Sequence, residues 1–134
     1  MKKVEHIGIA VKDLDASNEL FSKLLGKPHY KTESVEREGV KTSFFESGDT
    51  KIELLEGSKE DSAISKFIEK KGEGIHHIAF LVDDIHAEVE RLVGEGFQPV
   101  SKEPAPGADN KLVFFFHPKT TNGVLIEICQ EIQE

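Results

Sequence analysis

An internal repeat constrains the fold of this chain more than any other feature of the sequence. The segment EHIGIAVKDLDA, which starts at Glu5, matches the segment HHIAFLVDDIHA, which starts at His76. The match aligns His6 with His77, an offset of 71 residues, and it preserves the order of the apolar and charged positions. Self-similarity at a fixed offset predicts two copies of one structural unit.

A second match lies later in each copy. The segment TKIELLE from Thr50 matches VLIEICQ from Val124, and it aligns Glu53 with Glu127 at an offset of 74 residues. The second copy therefore carries three more residues between its matched segments. A chance likeness between generic strands is the alternative, but two matches in the same order favour a true repeat.

The first copy has a clear order of predicted elements. β-Branched residues predict a strand over 4–11, and Asp13 and Gly26 are typical of the start and the end of the helix that follows. Apolar positions in this helix form a stripe of Leu14, Phe21, Leu24 and Leu25. Three further strands are predicted over 30–35, 40–46 and 51–56.

The second copy repeats this order. Asp84 begins its helix, which ends near 94–96 and has a stripe of Ile85, Val89, Leu92 and Val93. A strand that matches the first is predicted through 77–82, and three more follow over 98–101, 111–117 and 124–130. The sequence therefore predicts an α+β fold of two pseudo-symmetric βαβββ modules that form a curved mixed sheet around a metal cavity. We expect a single domain over 1–134, with module one over about 4–56, a linker helix over about 61–71 and module two over about 75–131.

The alternation of side chains along a strand separates two kinds of face. One face of each sheet is bulky and apolar, and we expect it to pack against the helix stripes through Ile7, Ile9, Leu54, Ile78, Phe80 and Ile126. The other face carries His6 and Glu53 in the first copy and His77 and Glu127 in the second. Small residues beside them leave the room that a ligand cavity needs.

The four polar side chains on these faces suggest a metal site. If a rough two-fold axis relates the copies, His6, Glu53, His77 and Glu127 can meet at one point. Two imidazoles and two carboxylates suit a divalent cation such as Zn, Co, Ni, Mn or Fe. The alternative is that both histidines are hydrogen-bonded core residues and that both glutamates are solvated.

Charge and hydropathy exclude several classes of function. The formal net charge is −8 and there is no basic run, so a nucleic-acid partner is not expected. No apolar stretch approaches 18 residues, so we expect no membrane span, and the short, interrupted apolar start predicts no signal peptide. Cys129 is the single cysteine, which precludes an internal disulfide and suits the cytoplasm, where we expect the protein.

Other polar residues are less specific signals. His29, His76 and His86 are expected to be structural or solvated, whereas His117, at the end of a strand, could border the cavity. Lys111 and Lys119 lie in or beside polar turns, where either could meet an anionic ligand.

On these residues the chain resembles the vicinal-oxygen-chelate superfamily, which includes glyoxalase I, extradiol dioxygenases, bleomycin- and fosfomycin-resistance proteins and methylmalonyl-CoA epimerases. The resemblance to the epimerases covers nearly the whole chain. The stretches that carry it are EHIGIAVKDL, GDTKIELLEG, GEGIHHIAFLVDDI and HPKTTNGVLIEICQ.

The resemblance implies a function, a cofactor and partners. The ligand positions of the family match His6, Glu53, His77 and Glu127, with Co²⁺ as the foremost metal and Zn²⁺, Mn²⁺ or Ni²⁺ as possible substitutes. The implied reaction interconverts the 2R and 2S forms of methylmalonyl-CoA by removing the proton beside the thioester. The expected partners are an acyl-CoA substrate and a second copy of the chain in a homodimer.

One position departs from the family pattern. Some epimerases carry a proposed catalytic Glu on the third strand, where this chain has Thr42. The acid or base could then be Glu127, which would also be a metal ligand, or Glu46, which shares the strand parity of Thr42. A relay through Lys119 is the third candidate.

Other functions on the same scaffold stay open, because fold alone does not determine function. A glyoxalase-I-type enzyme acting on a thiol hemithioacetal would use the same four ligands. A dioxygenase normally uses two histidines and one carboxylate, which leaves Glu53 unexplained. A metal-free antibiotic-binding protein would need more aromatic lining than one Tyr and no Trp provide.

Overall fold

Two compact units make up the chain. In the computed structural model, which describes residues 1–133, the first unit comprises His6–His76. The second unit comprises Met1–Glu5 together with the residues from His77 onward. Each unit contains one copy of the repeat, and the single-domain assignment over 1–134 stays a prediction.

The first unit has a four-stranded mixed sheet and two helices. Its sheet order is β2-β3-β4-β1, with β1 parallel to β4 and the other pairs antiparallel. The elements are β1 (Lys3–Ala10, which begins in the second unit), α1 (Leu14–Leu25), β2 (Lys31–Val35), β3 (Val40–Ser47), β4 (Thr50–Gly57) and α2 (Ala63–Lys71).

The second unit repeats this plan. Its sheet order is β5-β8-β7-β6, with β5 parallel to β8 and the other pairs antiparallel. The elements are β5 (Gly74–Leu81, which begins in the first unit), α3 (Ile85–Gly94), β6 (Ala105–Gly107), β7 (Lys111–Phe116), a 3₁₀ turn (Pro118–Thr120) and β8 (Ile126–Glu131). The predicted α+β class and the βαβββ order are therefore confirmed. None of the helices in residues 1–133 has the length and apolar character needed to cross a membrane.

Equivalent caps start the first helix of each unit. The Asp13 carboxylate accepts a hydrogen bond from the backbone NH of Ala16, and Asp84 accepts one from Ala87, each at 3.1 Å. These bonds satisfy NH groups that have no partner within the helix. Gly26 ends α1 with a φ of 79°, a left-handed conformation that favours glycine.

A separate apolar core lies between helix and sheet in each unit. In the first unit, Ile9 and Leu54 pack in one cluster with Phe21, and in the second unit Phe80 and Ile126 pack in one cluster with Leu92. The prediction of which strand face packs against the helices is therefore confirmed. Ile7 and Ile78 are only partly buried, while Leu24 and Val93 were wrongly assigned to the stripes, because they are 71% and 46% exposed.

Replacing Phe114 by Ala should destabilise the protein strongly. Its side chain is buried in the core of the second unit, with its ring 5.1 Å from that of Phe116. Loss of a buried aromatic typically costs about 3–5 kcal/mol. Phe80→Ala should cost less, because Phe80 is only partly buried. Urea denaturation measures both free energies of unfolding, and an equal cost would contradict the observed difference in burial.

The expected strand over 98–101 was wrong. That segment forms only an isolated bridge between Pro99 and Phe116, and the edge strand of the second unit is β6. Proline has no NH to donate, so it is confined to edges and breaks in a sheet. Pro99 interrupts pairing in the expected segment, whereas Pro106 is accommodated in a strand of only three residues.

Helix α2 has a position that the sequence did not predict. Its Ile64 packs with Ala10 of β1 and Leu55 of β4, and Phe67 and Ile68 pack around them. Leu55 shares its strand face with Glu53, so α2 covers one end of the face that carries the candidate site. The opposite face is the one covered by α1.

The N-terminal residues are bound to the second unit. The backbone NH of Lys2 donates to the carbonyl of Leu81 at 2.8 Å, and the Lys2 ammonium donates to Asp83 at 2.9 Å. This second hydrogen bond raises the pKa of Lys2. The Met1 amino group lies 3.5 Å from the Glu88 carboxylate.

Candidate metal centre

The first unit contains a buried histidine–glutamate pair. His6 Nδ1 lies 3.1 Å from Glu53 Oε2, and both residues are about 5% exposed or less. The strand register places Gly8 of β1 beside Glu53 on one side and Phe44 of β3 on the other. Gly8 has no side chain to place beside the carboxylate, and Phe44 is fully buried.

The second unit contains the equivalent pair. His77 Nε2 lies 3.1 Å from Glu127 Oε1, and both side chains are buried. Ala79 of β5 and Phe115 of β7 flank Glu127 in the register, as Gly8 and Phe44 flank Glu53. The ring of Phe115 also meets the His77 imidazole edge-on, with centroids 5.8 Å apart. The repeat therefore extends from the sequence to the detailed surroundings of each pair.

The chemistry of these pairs fits a divalent metal. A buried carboxylate is costly unless a positive charge or a hydrogen bond compensates it. Neutral imidazole nitrogens and carboxylate oxygens are common donors for Zn²⁺, Co²⁺, Ni²⁺ and Mn²⁺. Each unit offers one of each type in its interior, a donor set that fits a divalent metal. The nearer nitrogen is Nδ1 in His6 and Nε2 in His77, so the pairs are equivalent in composition but not in ring orientation.

Glu46 lies at the edge of the same strand face. Glu46 of β3 pairs with Lys51 of β4, and Lys51 pairs in turn with His6 of β1. Two strand spacings of about 5 Å each therefore separate Glu46 from His6. Its side chain is 65% exposed and lies 3.5 Å from the Lys27 ammonium. The role of Glu46 as a base stays a prediction. The exposed position of Glu46 supports such a role less well than the buried position of Glu127 does.

Thr42 is buried on the face that carries Glu53. It lies on β3 beside Leu55 in the register, two residues before Phe44. The position where some epimerases place a carboxylate is thus occupied by a small side chain at the end covered by α2.

The turn after β7 contains two of the less specific candidates. His117 Nδ1 accepts a hydrogen bond from the backbone NH of Lys119 at 3.0 Å, so the ring caps the 3₁₀ turn. The Lys119 side chain is exposed, and its place in a proton relay stays a prediction.

The remaining histidines and the cysteine have structural surroundings. His29 packs edge-on against Phe45, His76 packs edge-on against Phe67, and His86 is exposed on α3. The buried thiol of Cys129 donates to the carbonyl of Phe80 at 3.6 Å, as expected for a packing residue.

Sequence reasoning missed a buried ion pair. Lys111, which we expected in or beside a polar turn, is only 5% exposed, and its ammonium lies 4.0 Å from the carboxylate of Glu5. Glu5, which directly precedes His6, was not a candidate, although it is 2% exposed. The available signal was a charged residue within an apolar strand pattern in both cases, EHIGIAV and KLVFFF.

Several curated proteins resemble the chain over nearly its whole length. It is 40% identical over 130 residues to an ethylmalonyl-CoA/methylmalonyl-CoA epimerase of Cereibacter sphaeroides, covering 96% of this chain and 97% of the relative. It is 39% identical over 127 residues to the mitochondrial methylmalonyl-CoA epimerase of Dictyostelium discoideum, covering 94% of this chain and 76% of the relative.

Solved structures show the same fold. Methylmalonyl-CoA epimerase from Mycobacterium tuberculosis superposes with a TM-score of 0.91 at 32% identity, covering 97% of this chain and 88% of that one. A methylmalonyl-CoA epimerase in complex with methylmalonyl-CoA and NH₄⁺ superposes with a TM-score of 0.90 at 35% identity, covering 98% and 95%.

The family model of the glyoxalase/bleomycin resistance protein/dioxygenase superfamily matches residues 5–115. That match begins at Glu5, within β1, and includes both histidines of the buried pairs and Glu53. Together with the full-length similarity to the relatives above, it places this chain in the methylmalonyl-CoA epimerase family of the glyoxalase/bleomycin resistance protein/dioxygenase superfamily.

Proposed function

We propose that this protein is a metal-dependent epimerase that interconverts the 2R and 2S forms of methylmalonyl-CoA. The observation that carries the proposal is the matched pair of buried His–Glu groups, one in each unit, in a chain whose relatives at 36–40% identity include methylmalonyl-CoA epimerases. A solved relative binds methylmalonyl-CoA itself, which supports the same substrate here.

The proposed metal ligands are His6, Glu53, His77 and Glu127. One divalent ion, with Co²⁺ as the first choice and Zn²⁺, Mn²⁺ or Ni²⁺ as substitutes, would take both pairs as its ligands. When bound, it supplies positive charge that stabilises the negative charge developing on the thioester oxygen. Two carboxylates on one divalent ion leave the site electrically neutral, which favours a buried location.

The protein must remove a proton from one face of the substrate carbon and return one to the other. Inversion therefore needs two acid–base groups or a relay. We assign one of these roles to the Glu127 carboxylate, which is buried beside the imidazole of His77. Glu46 and Lys119 are the candidates for the second. Phe44 and Phe115 are the strand neighbours of the two proposed ligand carboxylates, where their rings would limit the access of water to the reacting carbon.

Proton exchange in D₂O tests this function directly. The metal content of the purified protein is measured first, and the protein is then incubated with (2R)- or (2S)-methylmalonyl-CoA. We expect about one metal ion per chain, incorporation of deuterium at the carbon beside the thioester, and an equal mixture of the two forms at equilibrium. Removal of the metal with a chelator should stop the exchange, and added Co²⁺ should restore it. Metal-loaded protein that leaves the substrate proton in place would contradict the proposal.

Two further substrates define the specificity. The name of the Cereibacter relative pairs ethylmalonyl-CoA with methylmalonyl-CoA, so both thioesters belong in the assay. A glyoxalase-type enzyme would instead isomerise the hemithioacetal of glutathione and methylglyoxal, and we expect no turnover of that compound. A homodimer and a cytoplasmic location are part of the proposal and remain to be measured by light scattering and by cell fractionation.

A further inference from the structure

A buried charge network connects the β6–β7 hairpin to the strand that carries His6. Its centre is the Lys111 ammonium, which lies 3.3 Å from Asp109 Oδ2, 3.3 Å from the Asp109 carbonyl oxygen and 4.0 Å from Glu5 Oε2. The ammonium donates hydrogen bonds to the two Asp109 oxygens, whereas its longer contact with Glu5 is an ion pair. The side chains of Lys111 and Glu5 are 6% and 3% exposed. Lys111 therefore has partners within the second unit, and its contact with an anionic ligand stays a prediction.

The hairpin end of this network is held firmly. Asp109 and Asn110 adopt left-handed φ values of 59° and 55°, which Asp and Asn tolerate better than most residues. The Asn110 carbonyl accepts a hydrogen bond from the backbone NH of Ile132 at 3.1 Å, and its side-chain amide donates to the Ile132 carbonyl at 3.4 Å. The turn is thus tied to the chain just beyond β8, the strand of Glu127.

The other end of the network lies next to the candidate metal site. Glu5 is bonded directly to His6, and the chain passes from the second unit to the first between these two residues. Lys111 shares the face of β7 that carries Phe115, the ring in edge-on contact with His77. A buried ion pair at this point carries a large desolvation cost, and such pairs can serve to select one arrangement of the chain.

We infer that Lys111 is a positioning residue for the metal site. By holding the Glu5 carboxylate, it fixes the backbone of β1 at the point where His6 projects toward Glu53. The inference rests on the proposed metal-binding function, because it gives His6 a ligand's role. Groups that orient a metal ligand typically contribute about 10–100-fold to metal affinity.

The test measures Co²⁺ binding to metal-stripped, full-length protein. Lys111→Met keeps an unbranched side chain that is one atom shorter and removes its charge, and we expect the folded variant to bind Co²⁺ about 10–100-fold more weakly. We also expect a changed absorption spectrum of the bound Co²⁺, which reports ligand geometry rather than stability. Lys2→Met is the matched control. Lys2 lies three residues before Glu5, and its substitution breaks an exposed ion pair with Asp83. The Co²⁺ affinity and the Co²⁺ spectrum of this variant should equal those of the parent.

A double variant separates positioning from charge compensation. Lys111→Met combined with Glu5→Gln also removes the buried charge of Glu5 and leaves only the more exposed Asp109 without the ammonium, so thermal unfolding should show partly recovered stability while Co²⁺ affinity stays low. Parental affinity in the double variant, or in folded Lys111→Met, would overturn the inference. If neither variant folds, Lys111→Arg is the deciding variant, because the planar guanidinium keeps the charge but alters the geometry. An unchanged Co²⁺ affinity and spectrum in Lys111→Arg would then overturn the inference. If the parent itself binds no Co²⁺, the proposed function fails, and this result is distinct from the others.

Discussion

Replacing Glu127 by Gln is expected to slow epimerisation by about 10²–10⁴-fold, the usual contribution of one general acid or base. Gln keeps nearly the same shape and offers a carbonyl oxygen to a metal, but its amide cannot accept the substrate proton. We therefore expect the variant to retain a metal ion, bound more weakly than in the parent. The measurement is deuterium incorporation into methylmalonyl-CoA with the metal content of each sample determined beforehand, so that loss of metal and loss of the base are told apart.

The matched control for this prediction is Glu46→Gln. Glu46 is the other acid that strand parity places on the site face, but it is largely exposed and lies beside the Lys27 ammonium. Near-normal exchange in metal-loaded Glu127→Gln together with a dead Glu46→Gln would transfer the role of base to Glu46. Normal exchange in both variants would exclude both acids and leave Lys119 as the remaining candidate. A loss in both variants would assign them to the two faces of the substrate carbon.

The internal repeat explains why so much of the fold could be predicted. Aligning His6 with His77 and Glu53 with Glu127 fixes equivalent strands, and side-chain alternation then separates the apolar face from the face that carries these residues. The same logic placed Asp13 and Asp84 at the starts of equivalent helices, and both caps are present. These features are local or repeated, so the sequence records each of them twice.

Features that belong to only one unit were harder to predict. The apolar side of α2 was recognised, but nothing in the sequence indicated that Ile64 would pack against Leu55 on the site face. The pairing of Lys111 with Glu5 joins residues more than 100 positions apart, and it involves charges that are normally expected at the surface. The edge strand of the second copy was also misplaced, because Pro99 limits its segment to an isolated bridge and β6 forms instead.

Replacing His77 by Ala is expected to remove most of the affinity for a divalent metal. The substitution deletes one of four proposed ligands, and the loss should exceed the roughly 10–100-fold that loss of an outer partner of a ligand costs. It also leaves the Glu127 carboxylate buried without the imidazole that lies 3.1 Å away in the parent. Isothermal titration of Co²⁺ into metal-stripped protein measures the affinity, and a circular dichroism spectrum verifies that the variant is folded.

The neighbouring histidine provides the control for this experiment. His76 precedes His77 on the same strand, but its ring packs edge-on against Phe67, with centroids 5.0 Å apart, on the α2 side of the first unit. Because adjacent residues of a strand point to opposite faces, His76→Ala removes an imidazole from the same strand without removing a proposed ligand. We expect it to bind Co²⁺ as the parent does. Equal metal affinity in His77→Ala and His76→Ala would show that the imidazole of His77 is not a ligand, and the His77–Glu127 pair would then be a hydrogen-bonded structural pair in the interior of the second unit.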